Sequence, residues 1–254
     1  GRRKAKRQPK ESHEGNRLAD VVVESHDVSA QVVRQHRRVS VGVHLILGAR
    51  LEVAIVDDSG FMTPPDLGPG VLRVVDRLSA SSPFGRLAAA FRGRTDRATV
   101  EFCRRFIELG LAPEEIATAV RGVLATTDGE LVDLEHRCLL VGSLCDRIRD
   151  RRRATRWGLE LSREIGRIEC LRAAWPQARI VHVIRDGRDV AAERLASPNA
   201  PAGIDVTRIA RDWSELVAAS GPDRESEWFC VIRYEELVQG PEDTMHRLMR
   251  FLGM

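Results

Sequence analysis

The sequence predicts an α/β fold in which helices flank a parallel sheet. Two short apolar runs, Arg179–Ile184 and Trp228–Ile232, are typical of strands buried inside a parallel sheet. The segments between and after them have helical spacing of apolar residues, which gives a strand–helix–strand–helix order. The chain has 254 residues, of which 43% are hydrophobic, and this is enough for a substantial core.

The N-terminal part is expected to contribute further strands and then a helical region. Three apolar, β-branched runs predict strands: Val21–Val23, Val39–Leu47 and Leu51–Val56. Asp57–Gly70 is rich in Gly, Pro and Asp and predicts a loop. From Val71 to Arg153 the apolar spacing is helical, and Pro113 with the two acids after it marks a helix start. Arginines cluster between positions 147 and 156, where we expect a solvated helix end.

The last hundred residues have a regular order of elements. We expect the strands Arg179–Ile184 and Trp228–Ile232 to be parallel neighbours in one sheet. Asp189 stands where the N-cap of the helix after the first strand would be. The helices of this part are predicted as Ile165–Ala174, Val190–Leu195, Ile204–Ala219 and a final helix from Pro241 to Leu252.

Charge divides the chain into a tail and a body. Residues 1–17 are polar and predict a disordered basic tail, and residues 18–254 predict a single α/β domain. Six of the 40 basic residues lie in the first ten positions, which leaves 34 against 37 acidic residues in the rest. The positive charge therefore belongs to the tail, and a nucleic-acid-binding domain is not expected.

Composition argues against membrane-spanning, secreted, disulfide-bonded and metal-binding proteins. No apolar run is long enough to span a membrane, and no apolar segment of a signal peptide follows the basic start, so we expect a cytoplasmic protein. The five cysteines are scattered and form no Cys-x-x-Cys, so neither a disulfide scaffold nor a metal site is expected. The only lysines are Lys4, Lys6 and Lys10, so an anion site in the body must use arginines, backbone N–H groups or hydroxyls.

Two predicted strands end in residues suited to binding an anion. Arg185 follows the first strand, and Arg233 and Tyr234 follow the second. In open parallel sheets, ligands bind outside the carboxyl ends of the strands. Arg185 also precedes a helix N-terminus, and this combination is a physically sensible phosphate site. The alternative is that Arg185 forms a structural salt bridge, because Asp186 and Asp189 are near.

Three segments together resemble sulfotransferases that use 3′-phosphoadenosine 5′-phosphosulfate (PAPS). These are "RRRATRWGLELSREIGRIECLRAAWP", "WPQARIVHVIRDGRDVAAERL" and "FCVIRYEELVQGPEDTMHRLMRFLGM". The resemblance covers residues 151–254, with weaker support from 97–150, and identifies the chain as a divergent or truncated bacterial member. It implies a nucleotide-kinase-like, P-loop-like fold and PAPS as co-substrate, with no metal.

The resemblance also assigns roles to single residues. Arg185 matches the arginine that grips the 3′-phosphate, and Tyr234 matches the tyrosine near the adenine. The loop that holds the 5′-phosphosulfate is best matched by "HLILGAR", residues 44–50, which makes Arg50 a third cofactor-binding residue. Glu52 stands in that region, and Glu193 replaces a serine that binds the 3′-phosphate in the family. These two acids predict weak nucleotide binding and weak turnover.

The expected function is transfer of a sulfuryl group from PAPS to a hydroxyl or amine of a small-molecule, lipid or carbohydrate acceptor. The helical residues 71–153 are expected to form the acceptor side. The alternative is a sulfotransferase-fold protein that binds nucleotide with little or no catalysis. The catalytic base is open among His44, Glu52, His136 and His182, although His182 lies in mid-strand and is interpreted as core. The oligomeric state is not predicted.

Overall fold

A single parallel sheet organises the molecule. The computed structural model describes residues 21–25, 53–56, 67–79, 97–127, 131, 133–161, 168–197, 200, 203–219 and 226–254. The strands of this sheet are β1 (Val21–Ser25), β2 (Val53–Val56), β3 (Arg156–Leu161), β4 (Arg179–Ile184) and β5 (Phe229–Arg233). Their order is β2-β3-β1-β4-β5, and each neighbouring pair is parallel. The predicted fold class is confirmed.

The strand predictions can be compared with this sheet one by one. The run Val21–Val23 forms the first three residues of β1, and the run Leu51–Val56 contains all of β2, whereas Val39–Leu47 lies outside the described residues. The predicted parallel pairing of the two C-terminal strands is confirmed by β4 and β5. The second of them begins at Phe229, one residue later than predicted. The carbonyl of Trp228 nevertheless accepts a hydrogen bond from the Ile180 N–H at 2.8 Å, so the difference is only in the boundary.

Nine helices lie within the described residues. They are α1 (Pro69–Ser79), α2 (Arg97–Glu108), α3 (Pro113–Leu124), α4 (Leu134–Arg152), α5 (Ile168–Ala174), α6 (Gly187–Ala196), α7 (Val206–Ala219), α8 (Tyr234–Gln239) and α9 (Pro241–Leu252). The helical character predicted for the described parts of residues 71–153 is confirmed, as are the bounds of the final helix.

Local chemistry explains where several helices begin. α3 begins at Pro113 as predicted, and the Glu115 carboxylate accepts a hydrogen bond from the Ala112 N–H at 2.7 Å. α7 begins at Val206 and not at the predicted Ile204. The Asp205 carboxylate accepts a hydrogen bond from the Arg208 N–H at 2.7 Å, which is N-cap geometry and sets the later start.

Helices cover both faces of the sheet, and alternate strand residues point to opposite sides. One core cluster joins Trp157, Leu159 and Ile180 to apolar residues of helices α1–α5. A second cluster joins Val181, Val183 and Ile232 to α8 and α9. Pleating places successive side chains on opposite faces, so one strand serves both layers. His182, expected to be core, is fully buried in β4, with its ring 6.0 Å from that of Phe229.

Arginines anchor the amino edge of the sheet, which is defined here by Arg156 and Arg179, the first residues of β3 and β4. Arg156 Nη1 donates to the Leu252 carbonyl at 2.5 Å, and Arg179 Nη1 donates to the Phe251 carbonyl. Both carbonyls belong to the last turn of α9, where backbone acceptors lack helical partners. The guanidinium of Arg179 also lies 5.7 Å from the centre of the Phe251 ring. These contacts fasten α9 to the sheet.

The arginine cluster at the end of α4 only partly fits the expected solvated helix end. Arg149 pairs with Asp146 and Asp150, and only 12% of its side chain is exposed. Asp146 also accepts a hydrogen bond from Trp157 Nε1 at 3.1 Å. For Arg149 the expectation of solvation is therefore wrong, because α4 packs against β3 at this point. Arg152 stays exposed as expected, although its guanidinium donates to the Ile55 carbonyl at 3.2 Å.

Candidate functional site

The ends of β4 and β5 bring Arg185 and Tyr234 together. Ile184 and Arg233 are paired in the parallel register, so the residues that follow them leave the sheet side by side. The guanidinium of Arg185 lies 5.3 Å from the centre of the Tyr234 ring, within the range of a cation–π contact. We call this region the carboxyl edge and define it by Arg185 and Tyr234. A cation beside an aromatic face can bind an anionic group and a planar ring in one ligand.

Two side chains from other helices fix the connection between β4 and α6. Trp213 Nε1 on α7 donates to the carbonyl of Arg185 at 3.0 Å. The Glu235 carboxylate on α8 accepts a hydrogen bond from the Asp186 N–H at 2.8 Å. Both backbone groups therefore have partners outside their own segment, and the backbone that carries Arg185 is held from two sides.

The same connection requires a glycine at its next position. A Cβ atom on Gly187 would lie 2.9 Å from the nearest atom of the Trp213 indole. Real Cβ atoms do not approach other atoms this closely, so only glycine permits the tryptophan to lie against the start of α6. The indole can then reach the Arg185 carbonyl.

Asp186, and not the predicted Asp189, is the N-cap of α6. Its carboxylate accepts hydrogen bonds from the backbone N–H of Arg188 at 2.8 Å and from the Arg188 guanidinium. The hydrogen bonds from the Arg188 side chain, and then from its backbone N–H, lower the pKa of Asp186 to about 2. The sequence prediction was three residues late, because the helix begins directly after the strand. Arg188 itself is 92% exposed.

The guanidinium of Arg185 is paired with carboxylates of α6. Arg185 Nη1 lies 2.5 Å from Glu193 Oε2, and Arg185 Nε lies 3.9 Å from Asp189 Oδ2. Asp186, the other partner weighed from the sequence, pairs with Arg188 instead. About a quarter of each side chain in the Arg185–Glu193 pair is exposed, so solvent reaches this pair. The predicted cation, Arg185, is therefore at the carboxyl edge, where it forms an ion pair with the Glu193 carboxylate of the same chain.

Sequence reasoning did not identify Trp213 and Glu235, and it placed Glu193 beside the 3′-phosphate without anticipating its ion pair with Arg185. Positions 185, 189 and 193 are spaced by four residues, which places them in one row of a helix. That spacing could have indicated the pairing. No comparable signal exists for Trp213 or Glu235, because their contacts depend on how α7 and α8 pack.

The remaining candidates for the phosphosulfate loop and the catalytic base do not take part in the contacts at the carboxyl edge that the structure describes. Arg50, His44 and Glu52 are outside the described residues. His136 lies in the first turn of α4, and its Nδ1 atom has no hydrogen-bond partner among the described residues.

The central strand of the sheet is β1, which lies beside β4 and ends at Ser25. In an open parallel sheet, the crevice outside these central strands is where ligands bind.

Three of the five cysteines, Cys103, Cys138 and Cys145, are buried, and burial disfavours the reactive thiolate form. All five are free, and burial raises the pKa of Cys103 and Cys138 to about 12. Within the ranges that the structure describes, no three His, Cys, Asp or Glu side chains are grouped as metal ligands. In the same ranges, no helix is both long and apolar enough to cross a bilayer.

Comparison with known proteins identifies the family. A family model described as the sulfotransferase family matches residues 93–254, which include Arg185 and Tyr234. The chain belongs to the sulfotransferase family. The matched range contains the segments on which the resemblance in sequence was based. A search of curated protein sequences found no match to this sulfotransferase.

One solved structure supports the fold, and two further structures match at lower TM-scores. The chain is similar to the sulfotransferase domain of the olefin synthase of Synechococcus PCC 7002, with a TM-score of 0.50 and 17% identity over 98% of this chain and 78% of that one. A match to sulfotransferase STF1 of Mycobacterium tuberculosis has a TM-score of 0.42 and 19% identity, covering 93% and 68% of the two chains. Sulfotransferase STF9 of Mycobacterium avium gives 0.44 and 15%, with 92% and 64% covered.

Proposed function

We propose that this sulfotransferase takes its sulfuryl group from PAPS and transfers it to a hydroxyl or amine of a small-molecule, lipid or carbohydrate acceptor. The observation that supports this proposal is the meeting of Arg185 and Tyr234 at the ends of adjacent parallel strands. An arginine fork fits a phosphate group, and an aromatic face beside it fits an adenine ring. PAPS carries both groups, and it supplies the sulfuryl group when bound.

The residues around Arg185 have a positioning role in this proposal. Trp213 and Glu235 hold the backbone on either side of the peptide bond between Arg185 and Asp186. The guanidinium is therefore presented from a fixed backbone, and little conformational entropy is lost when a phosphate binds to it. The fit to a 3′-phosphate is incomplete in one respect, since Glu193 already pairs with Arg185 Nη1.

The rest of the proposed enzyme follows the sequence-based assignments. We propose Arg50 and residues 44–50 as the 5′-phosphosulfate loop and residues 18–254 as one domain. Residues 71–153 are proposed as the acceptor side, which is supported by the packing of α1, α3 and α4 in one layer on one face of the sheet. The base that deprotonates the acceptor is left unassigned. His182 is a poor choice for it, because its side chain is fully buried.

Calorimetric titration with adenosine 3′,5′-bisphosphate, the product left after transfer, tests the nucleotide assignment. The wild-type chain should bind it, and Arg185→Ala should lower the affinity about ten- to a hundredfold by removing a charge-assisted pair. Arg211→Ala is the matched control, because Arg211 is an exposed arginine on α7. Equal affinity of wild type and Arg185→Ala would remove Arg185 from the site.

A transfer assay separates catalysis from binding alone. PAPS with labelled sulfur and a panel of phenols, sugars, lipids and amines should give a labelled acceptor whose formation depends on Arg185. Binding of the bisphosphate without transfer to any acceptor in the panel would favour a nucleotide-binding protein with little catalysis. No binding of either nucleotide would reject the PAPS assignment.

A further inference from the structure

The Arg185 guanidinium already has an anionic partner where a ligand phosphate would bind. Glu193 Oε2 lies 2.5 Å from Nη1, Asp189 Oδ2 lies 3.9 Å from Nε, and the Tyr234 ring lies 5.3 Å from the guanidinium carbon. A carboxylate presents two oxygens to the planar guanidinium fork, as a phosphate does. A phosphate group that binds through Nη1 therefore competes with Glu193 for this donor.

The Arg185–Glu193 pair is placed so that it can exchange partners. About a quarter of each of the two side chains is exposed, so water and solutes reach the ion pair. Ion pairs that water reaches contribute little to stability, so little stability is lost when another anion takes the place of the carboxylate. Glu193 lies on α6, which packs on α7, so it stays near Arg185 after any exchange. A displaced Glu193 carboxylate would then lie close to the incoming phosphate and repel it.

We infer that Glu193 is a specificity-determining residue, an internal competitor that lowers the affinity of Arg185 for the 3′-phosphate of a nucleotide. The inference rests on the proposed function, because it assumes that a phosphorylated nucleotide binds beside Tyr234. A nucleotide with a 3′-phosphate must displace Glu193 from the guanidinium. A nucleotide with a free 3′-hydroxyl leaves the Arg185–Glu193 pair intact and can donate a hydrogen bond to the carboxylate. Glu193 thus reduces the preference for the 3′-phosphorylated form.

The test compares two nucleotides and two variants by calorimetry. Glu193→Gln removes the competing charge and keeps the shape of the side chain. We expect about tenfold tighter binding of adenosine 3′,5′-bisphosphate, since a like charge a few ångströms away is removed. The affinity for adenosine 5′-monophosphate should change less than about twofold. Glu215→Gln is the matched control, because it removes one exposed carboxylate from α7, and neither affinity should change. Equal shifts for both nucleotides, or weaker binding of the bisphosphate, would overturn the inference.

A second measurement does not depend on a substitution at Glu193. Tyr234 is the only tyrosine of the chain, so fluorotyrosine labelling gives a single resonance that reports on the ring beside Arg185. The bisphosphate should shift this resonance in the wild-type protein more than the monophosphate does. Identical shifts with both nucleotides would show that the 3′-phosphate does not change the pairing of Arg185, and would also overturn the inference.

Inorganic phosphate distinguishes failure of this inference from failure of the proposed function. If Glu193→Gln gains affinity for phosphate while no adenosine nucleotide binds either protein, the competition is real and the nucleotide assignment is wrong. If wild type and Glu193→Gln bind the bisphosphate equally well, the nucleotide assignment stands and Glu193 does not compete.

Discussion

The two edges of the sheet use arginine in different ways. At the amino edge, Arg156 and Arg179 donate to the Leu252 and Phe251 carbonyls in the last turn of α9. At the carboxyl edge, Arg185 pairs with the side-chain carboxylate of Glu193. In both regions the arginine flanks a buried strand, at its first residue in one case and directly after its last in the other. The difference lies in the partner.

A backbone carbonyl and a side-chain carboxylate have different consequences for function. A carbonyl of α9 cannot leave its arginine unless the helix moves, so the amino-edge contacts support the fold. A carboxylate on a rotatable side chain can give up its place to an incoming anion. At these two edges, the partner of the arginine therefore separates a contact that supports the fold from one that an anionic ligand can replace.

Arg179→Ala should show the largest effect on stability. The substitution removes a hydrogen bond between a charged donor and a half-buried carbonyl, which is worth about 1.5–3 kcal/mol. It also removes the packing of the guanidinium on the Phe251 ring. Urea denaturation should therefore show a lower free energy of unfolding, while the affinity for adenosine 3′,5′-bisphosphate stays within about twofold of wild type.

Arg185→Ala tests whether the arginine at the carboxyl edge differs in function from those at the amino edge. It removes a partly exposed ion pair, and such pairs contribute at most about 1 kcal/mol. We expect a small change in unfolding and a large loss of nucleotide affinity, the reverse of Arg179→Ala. If both variants lost stability to the same extent and neither lost affinity, the two edges would not differ in function.

Gly187→Ala should disturb the carboxyl edge through packing. The new Cβ would lie 2.9 Å from the Trp213 indole, and overpacking of this kind costs about 1–3 kcal/mol. Either the indole or α6 must shift, so we also expect weaker bisphosphate binding. Calorimetry and urea denaturation measure both effects. Trp213→Phe removes the close contact together with the indole hydrogen bond, so Gly187→Ala should cost less stability in the Trp213→Phe chain than in wild type. An equal cost in the two chains would contradict this contact.

The backbone architecture of the C-terminal half was predictable because its signals are local. The runs that became β4 and β5 are continuous and apolar, and Pro241 marks the start of α9 in the sequence itself. Errors were confined to boundaries, such as the cap of α6, where two aspartates three residues apart could each have served. The capping aspartate is the one from which the helix begins, and only the strand end fixes that point.

The partners of the predicted site residues were not predictable in the same way. Arg185 was identified from its place after a strand, but its contact with Glu193 depends on the rotamers of both side chains. Glu235 follows Tyr234 directly in the sequence, yet its bond to the Asp186 N–H exists only because β4 and β5 are neighbours. Side-chain partners that come from other elements require the assembled fold.

Glu235→Ala should have a smaller effect than the preceding substitutions. It removes the acceptor of the Asp186 N–H, and one such hydrogen bond is worth about 1 kcal/mol. We expect bisphosphate affinity to fall about two- to tenfold, because the backbone that carries Arg185 is less well fixed. Glu235→Gln keeps an acceptor oxygen and should restore the affinity. If the glutamine variant were as weak as the alanine variant, the charge of Glu235 would matter and not its hydrogen bond.

The smallest expected effect is on stability at low pH, and it should appear at the carboxyl edge but not at the amino edge. The hydrogen bonds from Arg188 lower the pKa of Asp186 to about 2 in the folded chain, against about 3.9 for an unfolded aspartate. A lowered pKa means that ionised Asp186 stabilises the fold fully above about pH 4, and this contribution is lost as the pH falls towards 2. Asp186→Asn keeps a capping side chain that does not titrate.

Urea denaturation of wild type and Asp186→Asn between pH 6 and 3 measures this contribution. The advantage of wild type over the variant should narrow as the pH falls below about 4. The deficit of Arg179→Ala should stay constant over the same range, because a guanidinium bonded to a backbone carbonyl has no group that titrates there. A constant advantage of wild type over Asp186→Asn would mean that the contacts with Arg188 do not lower the pKa of Asp186 in solution. A pH-dependent deficit of Arg179→Ala would mean that the amino edge has an acidic partner after all.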